Sequence, residues 1–149
     1  MSKHLASLRW NRNGKPFTYE GYSRDHEWIF EGGQRLTGSA AEAFLGSPEG
    51  VDPEEALVVA LSSCHMLTLL AIAAKKGWTV ESYDDDAEGT LGKNAEGKLS
   101  LTHVTLRTRI VVAEGTTLGA DTLQYLHHQA HEHCFIANSV KTEVVIEAQ

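Results

Sequence analysis

Two cysteines, Cys64 and Cys134, are the best candidates for chemistry in this chain of 149 residues. In a reducing compartment a structural disulfide is uncommon, so these thiols are either small apolar core side chains or a redox or metal-binding pair. A cysteine attacks an electrophile as its thiolate, and a thiol with a pKa of about 8.5 is ionised only to a few per cent at neutral pH. A reactive cysteine in this chain therefore needs a fixed cation beside it.

Arginine suits that role because its guanidinium is always charged, is planar and is held well by a carboxylate. Arg24 and Arg35, both in expected loops, are the candidate cations. Glu54 lies in the expected first turn of the helix that carries Cys64, and it is the candidate carboxylate. Taken alone, Glu54 is also an ordinary acidic residue at the positive end of a helix dipole.

A histidine cluster precedes the second cysteine. His127 and His131 are spaced to share one helix face, and that spacing can hold zinc with Cys134 as a further ligand. However, no glutamate follows in the H-E-x-x-H arrangement, and a closed site needs another ligand from elsewhere. We therefore favour an exposed, histidine-rich helix face, which also includes His128 and His133, over a metal site.

The segment that carries Cys64 predicts a helix over residues 52–77. Asp52 is a good N-cap before Pro53, and Gly77 is a good C-cap. No charged residue occurs between residues 56 and 74, and a helix that is apolar nearly all round is buried. The segment barely reaches the length of a membrane span and contains several polar residues, so we expect a central helix covered by a sheet or a partner subunit.

The remaining segments predict an α+β domain that covers residues 1–149. Alternating patterns and turn residues predict strands at 5–10, 17–22, 27–30, 78–83, 87–91, 99–112 and 139–147, with a hairpin at Asn13-Gly14 and Arg24 in a turn. A second helix is expected over residues 118–133, with Thr116 or Thr117 as its N-cap, and Asp84 to Asp86 are expected to be a solvated strand end. The net charge of −7 argues against binding nucleic acid or an anionic membrane, and the N-terminus lacks a signal-peptide pattern, so a cytoplasmic protein is expected.

Two motifs resemble the signatures of the OsmC/Ohr superfamily, which comprises osmotically inducible protein C and organic hydroperoxide resistance proteins. The sequence D-P-E-E-A-L-V-V-A-L-S-S-C-H-M over residues 52–66 is similar to its helix signature, including the spacing from Glu54 to the peroxidatic cysteine. The sequence A-H-E-H-C-F-I-A-N-S-V-K-T-E-V-V-I over residues 130–146 resembles the second signature, which carries the resolving cysteine. The order of strands and helices fits over nearly the whole chain.

This resemblance implies a fold, an assembly and an activity. The implied fold has two main helices, one of them long and central, with antiparallel sheets, in an intertwined homodimer with two sites at the subunit interface. The implied activity is thiol-dependent reduction of organic hydroperoxides, in which Cys64 becomes a sulfenic acid and Cys134 condenses with it to a disulfide. An external dithiol or a lipoylated protein then reduces the disulfide, and no cofactor is needed.

The resemblance also assigns the cation and shows where this chain departs from the family. G-Y-S-R-D-H matches the arginine loop of the hydroperoxide-resistance branch, so Arg24 with Glu54 is preferred and Arg35 is second. His65 replaces the usual Phe and is either a core histidine or a group that tunes the thiol, while Phe135 replaces the usual Pro. Two alternatives are a non-catalytic small-molecule binding protein of this fold and a zinc-binding protein that uses the segment from His127 to Cys134.

Overall fold

The computed structural model describes all residues 1–149, and the chain forms two compact units, residues 1–56 and 57–149. The expectation of one domain over residues 1–149 stays a prediction. In chain order the elements are β1 (Ala6–Arg9), β2 (His26–Phe30), β3 (Arg35–Gly38), a 3-10 turn (Glu42–Phe44), α1 (Pro53–Lys75), β4 (Val80–Asp85), β5 (Glu88–Lys93), β6 (Leu99–Val112), α2 (Ala120–His133), a second 3-10 turn (Ala137–Ser139) and β7 (Glu143–Ala148).

The first unit contains an antiparallel sheet in the order β1-β2-β3. The turn at Asn13-Gly14 forms, with both residues at positive φ, but the strand expected at 17–22 is wrong. The carbonyl of Thr18 accepts the N–H groups of Gly21 and Tyr22, which makes this segment a turn. As a result β1 pairs with β2 instead of forming a local hairpin, and β3 completes the sheet.

Helix α1 confirms the predicted helix to within two residues at each end. Asp52 and Glu55 form a capping box, in which Asp52 Oδ1 accepts the Glu55 N–H at 2.7 Å and Glu55 Oε2 accepts the Asp52 N–H at 3.1 Å. At the other end Gly77 has a φ of 75°, and the Trp78 N–H returns to the Ala73 carbonyl. Local signals alone therefore determine where this helix starts and stops.

Only one stripe of α1 is buried within the chain. Leu61, His65, Leu69 and Ala73 recur every four residues and are buried, whereas Val59 and Leu67 are 61% and 59% exposed. The expectation of burial on every side is therefore not met within a single chain. By length and composition alone α1 could also cross a membrane, with a mean hydropathy of 2.1 over its most apolar window, but the core helix of a soluble protein has the same properties.

The second unit is built around the 14-residue strand β6. Antiparallel β5 pairs with the first part of β6 and antiparallel β4 with its end, while β7 runs parallel to it along residues 103–108. The sheet is thus mixed, because β7 departs from the expected antiparallel arrangement. Two apolar clusters form the core. In the first, Leu61 of α1 packs with Val104 and Leu106 of β6; in the second, Leu69 of α1 packs with Leu126 and Ala130 of α2.

The structure confirms the α+β class with two main helices and several strands. One detail of α2 differs from expectation, because its N-cap is Gly119 and no side chain caps it, so neither Thr116 nor Thr117 has that role. Cys134 follows directly after α2. The second 3-10 turn and β7 then carry the chain back to β6.

Candidate active site

The two cysteines, 70 positions apart in the sequence, lie in contact within the second unit. Cys64 is in the middle of α1, Cys134 is the C-cap residue of α2, and both are free thiols. Cys134 is only 1% exposed, and its sulfur accepts the Ala137 N–H at 3.4 Å. Burial first, and then its hydrogen bond with Cys64, raise the pKa of Cys134, so at neutral pH this residue is a thiol that can donate to its neighbour.

The two thiols differ in their access to small molecules. Cys64 is partly exposed and lines a groove of about 740 Å³ along α1, whereas Cys134 is not among the groove residues. The groove is mostly apolar, with Lys75 and His133 as its ionisable residues besides Cys64; the others are Ala60, Ser63, Leu67, Thr68, Ala71, Ile72, Phe135 and Ile136. An apolar electrophile in this groove can therefore reach Cys64 directly and Cys134 only through it.

The first unit contains a separate cavity of about 690 Å³, lined by both Arg24 and Glu54. The guanidinium of Arg24 donates to the carbonyls of Tyr22, at 2.7 Å, and Tyr19. It also lies over the Tyr22 ring, 3.8 Å from the ring centroid, and its Nε is buried without a partner. Arg24 thus presents a fixed guanidinium with one unused N–H.

The expected partnership between Arg24 and Glu54 takes a different form. No ion pair joins them, since tyrosine carbonyls hold Arg24 instead. Arg35, the second candidate cation, pairs at 2.6 Å with Glu27 on exposed strands and does not line the cavity. The structure therefore places Arg24 and Glu54 at one cavity and the two cysteines at one contact, while the catalytic role of all four residues stays a prediction.

His65 is a core histidine that pairs with His127. The two rings are stacked at 11° with centroids 5.3 Å apart, and His65 Nε2 lies 3.0 Å from His127 Nδ1. His127 Nε2 is in turn 3.2 Å from Thr108 Oγ1, and no hydrogen bond joins His65 to either thiol. Burial, followed by the nearby His127 and His131, lowers the pKa of His65 to about 4, and burial lowers the pKa of His127. His65 is therefore neutral at physiological pH.

This arrangement does not support the zinc alternative. No group of three His, Cys, Asp or Glu side chains converges in a way that could hold a metal ion. His127 turns inward to His65 and Thr108, whereas His128 and His133 are exposed on other faces of α2. His127 and His131 share one face of α2 and both lie near His65, but the helix directs His128 and His133 to other faces.

Two features of the structure are not apparent from the sequence: a buried contact of Asp85 and a row of aromatic rings beside Arg24. Asp85, expected to be solvated with its neighbours, accepts the Ser62 hydroxyl while its Oδ1 is buried without a partner. In the first unit Trp10, Phe17 and Tyr22 form a row of aromatic rings, with neighbouring centroids 6.0 Å and 5.8 Å apart, beside the Arg24 cavity. The aromatic residues around G-Y-S-R-D-H are the signal for this row in the sequence, but their alternation also predicts the strand at 17–22 that does not form.

A comparison with known families gives the class of this protein. Residues 46–149 match the model of the OsmC-like protein family, so the chain belongs to that family. Glu54, Cys64 and Cys134 lie within the matched segment, whereas Arg24 precedes it.

Solved structures extend this likeness to the full length of the chain. An OsmC-like protein of unknown function from Vibrio cholerae is 49% identical, with a TM-score of 0.96 and complete coverage of both chains. An organic hydroperoxide resistance protein from Elizabethkingia anophelis is 15% identical, with a TM-score of 0.73 over 99% of this chain and 94% of that one. The organic hydroperoxide resistance protein OhrB of Bacillus subtilis is 17% identical, with a TM-score of 0.69 over 99% and 98%. The last two share the fold, and no curated protein matches the chain.

Proposed function

We propose that this protein is a thiol-dependent peroxidase that reduces organic hydroperoxides to alcohols. The observation that carries the proposal is the contact between two unlike thiols: Cys64, which lines an apolar groove, and Cys134, which is buried and protonated. Membership of the OsmC-like family, whose fold organic hydroperoxide resistance proteins share, supports the same activity.

The proposed reaction has three steps. The Cys64 thiolate attacks the O–O bond of ROOH, so that a Cys64 sulfenic acid forms and RO⁻ takes a proton to leave as ROH. The Cys134 thiol then condenses with the sulfenic acid, which forms the Cys64–Cys134 disulfide and releases water. An external dithiol, either a small molecule or a lipoylated protein, reduces the disulfide and is itself oxidised.

In this proposal Arg24 reaches Cys64 in the site that the family resemblance implies at the subunit interface, where its guanidinium stabilises the thiolate and the departing oxygen and Glu54 helps to orient it. The unused Nε–H of Arg24 and the position of both side chains at one cavity favour this assignment over Arg35. Changing Arg24 to Lys should lower kcat/KM for a hydroperoxide on the order of 100-fold, because a fixed donor to developing charge is lost. The same change at Arg35 should have little effect, and equal losses in both variants would reject Arg24.

We further propose that the protein is cytoplasmic and that it forms a homodimer, the latter as the family resemblance implies. The exposed Val59 and Leu67 on the apolar helix α1, together with the 82% exposed Phe135 beside Cys134, favour a second copy as their cover. Sedimentation of the reduced protein should give twice the chain mass. A monomer at micromolar concentration would contradict the proposed assembly.

The proposed activity is tested first by intact-mass measurement after one equivalent of cumene hydroperoxide. The wild type should lose two hydrogens through the disulfide and regain them with dithiol. Cys134→Ser should stop at a sulfenic acid that dimedone traps, and Cys64→Ser should show neither product. Two unchanged thiols in the wild type would reject the peroxidase.

A second candidate function is the binding of an apolar molecule without turnover. The aromatic lining of the Arg24 cavity, with Trp10, Phe17 and Phe44, is the observation that favours it. Calorimetric titration with cumyl alcohol, combined with the hydroperoxide assay, distinguishes the two functions. A binding protein should bind the alcohol equally well as wild type and as Cys64→Ser, and its wild type should show no reaction with the hydroperoxide.

A further inference from the structure

Three consecutive residues around Arg24 are each held from a different part of the first unit. The Ser23 carbonyl accepts the Trp10 Nε1–H at 2.7 Å, and the Asp25 carboxylate accepts the Ser39 hydroxyl at 2.8 Å. Ser39 is 1% exposed, and its hydroxyl oxygen also accepts the backbone N–H of Ser47 at 2.9 Å. The segment has no regular secondary structure, so these hydrogen bonds fix its backbone in place of the backbone hydrogen bonds of a helix or sheet.

The third bond is made to Arg24 itself. His26 Nδ1 lies 2.7 Å from the Arg24 carbonyl, and His26 Nε2 faces the Nε1–H of Trp28. Since a carbonyl only accepts and an indole N–H only donates, His26 must carry its proton on Nδ1 and keep Nε2 free as the acceptor. The ring is therefore used at both ends, with one end on Arg24.

The sheet holds this histidine in place. His26 and Trp28 lie on the same face of β2, and His26 is opposite Gly38 of β3. A Cβ at Gly38 would lie 2.1 Å from Trp28 Nε1 and 2.7 Å from His26 Nε2, so glycine leaves the space that both rings occupy beside β3. The support runs from β3 through Trp28 and His26 to the carbonyl of Arg24.

We propose that His26 is a positioning residue for Arg24, an inference that rests on the peroxidase function proposed above. His26 lines the same cavity as Arg24, and the backbone that it fixes carries a guanidinium held by two tyrosine carbonyls and the ring of Tyr22. Releasing the Arg24 carbonyl lets the backbone turn, and the unused Nε–H loses its direction. A misdirected guanidinium lowers the rate of attack on the hydroperoxide while the thiols remain unchanged.

Two substitutions separate the two ends of the ring. His26→Asn places an amide N–H near Nδ1 and keeps the bond to Arg24, whereas His26→Gln extends toward Trp28 and gives up that bond. We expect His26→Gln to lower kcat/KM for cumene hydroperoxide about tenfold, the value of one lost hydrogen bond, and His26→Asn to remain within about threefold of the wild type. Glu27→Gln, on the same strand and paired outward with Arg35, is the matched control and should keep full activity.

A double substitution tests whether the effect passes through Arg24. His26→Gln should cause no further loss in the Arg24→Lys background, because the group that it positions is already absent. Equal losses in His26→Gln and His26→Asn, no loss in either, or an additive loss in the double variant would overturn the proposal.

A measurement independent of turnover distinguishes its failure from failure of the peroxidase function. The Nε–H cross-peak of Arg24 in a ¹⁵N NMR spectrum, assigned with Arg24→Lys, should move toward that of a free arginine in His26→Gln and stay in place in His26→Asn. If the wild type lacks turnover but the Arg24 cross-peak moves in His26→Gln and not in His26→Asn, the peroxidase proposal fails and the positioning by His26 stands. An unchanged cross-peak in His26→Gln rejects the positioning.

Discussion

The buried pair of His65 and His127 should make the protein less stable in acid. His65 is 1% exposed, and its ring is stacked on that of His127, so a charge on His65 would be both desolvated and repelled by its neighbour once that is protonated. Burial, then His127 and His131, lower the pKa of His65 from 6.5 to about 4. Asp85 partly offsets the burial of His127, whose pKa is lowered as well.

The sign and size of the effect follow from proton linkage. Between the two pKa values of His65 the unfolded chain binds a proton that the folded chain does not, so folding stability falls as pH falls through this window. From about pH 7.5 to about pH 4.5, a shift from 6.5 to about 4 corresponds to about 2.5 kcal/mol of lost stability. The contribution of His127 has the same sign, since burial depresses its pKa too.

The assay is urea unfolding at both ends of that pH range, in the wild type and in His65→Gln. Glutamine does not titrate, and its amide can still reach His127 Nδ1, so this variant removes the proton binding while keeping a polar contact. The stability loss on acidification should be smaller by about 2 kcal/mol in the variant, with an unchanged m-value. His128→Gln, the same chemical change at an exposed position of α2, should lose as much as the wild type.

One result would refute this reasoning. If the wild type and His65→Gln lose equal stability between the two pH values, His65 has the same proton affinity in the folded and unfolded chains. The stacked pair would then be open to water or able to share its charge. Carboxylates titrate in the same range, but they contribute equally to both proteins and cancel in the comparison.

Three further substitutions test the supports of the fold by chemical denaturation. Asp52→Ala should cost about 1 kcal/mol, because the Glu55 N–H loses its capping oxygen, and no change would contradict the capping box. Gly38→Ala should cost about 1–3 kcal/mol, because the new methyl group meets Trp28; a neutral result would show that the Trp28 ring moves freely. Leu106→Ala should cost about 3 kcal/mol, since the side chain is fully buried beside Leu61, and a loss below about 1 kcal/mol would mean that the core closes over the cavity.

The cavity lined by Arg24 shows which contacts of a site residue a family motif can predict and which it cannot. The motif around Arg24 predicts that Glu54 holds this residue; both side chains line one cavity, but no ion pair forms between them. Carbonyls of Tyr19 and Tyr22, a few residues earlier in the chain, satisfy the guanidinium instead. A pattern of residue types cannot predict this outcome, because backbone carbonyls are present at every position and only the path of the loop selects two of them.

The amino-acid sequence by itself determined the features that depend on neighbours along the chain. Helix α1 starts at a capping box and ends before Gly77, and the turn at Asn13-Gly14 forms as expected, because each relies on contacts within a few residues. The family and its two cysteine motifs were also recognisable from the sequence, since the motifs are continuous segments.

Only the tertiary structure decided which distant residues meet. It paired β1 with β2 rather than with the segment after the turn, and it stacked His65 on His127 across 62 positions of sequence. It also brought Cys134 into contact with Cys64, and burial there raises the pKa of the Cys134 thiol. These outcomes depend on burial and on the competition between possible partners, and neither quantity exists until the whole chain has folded.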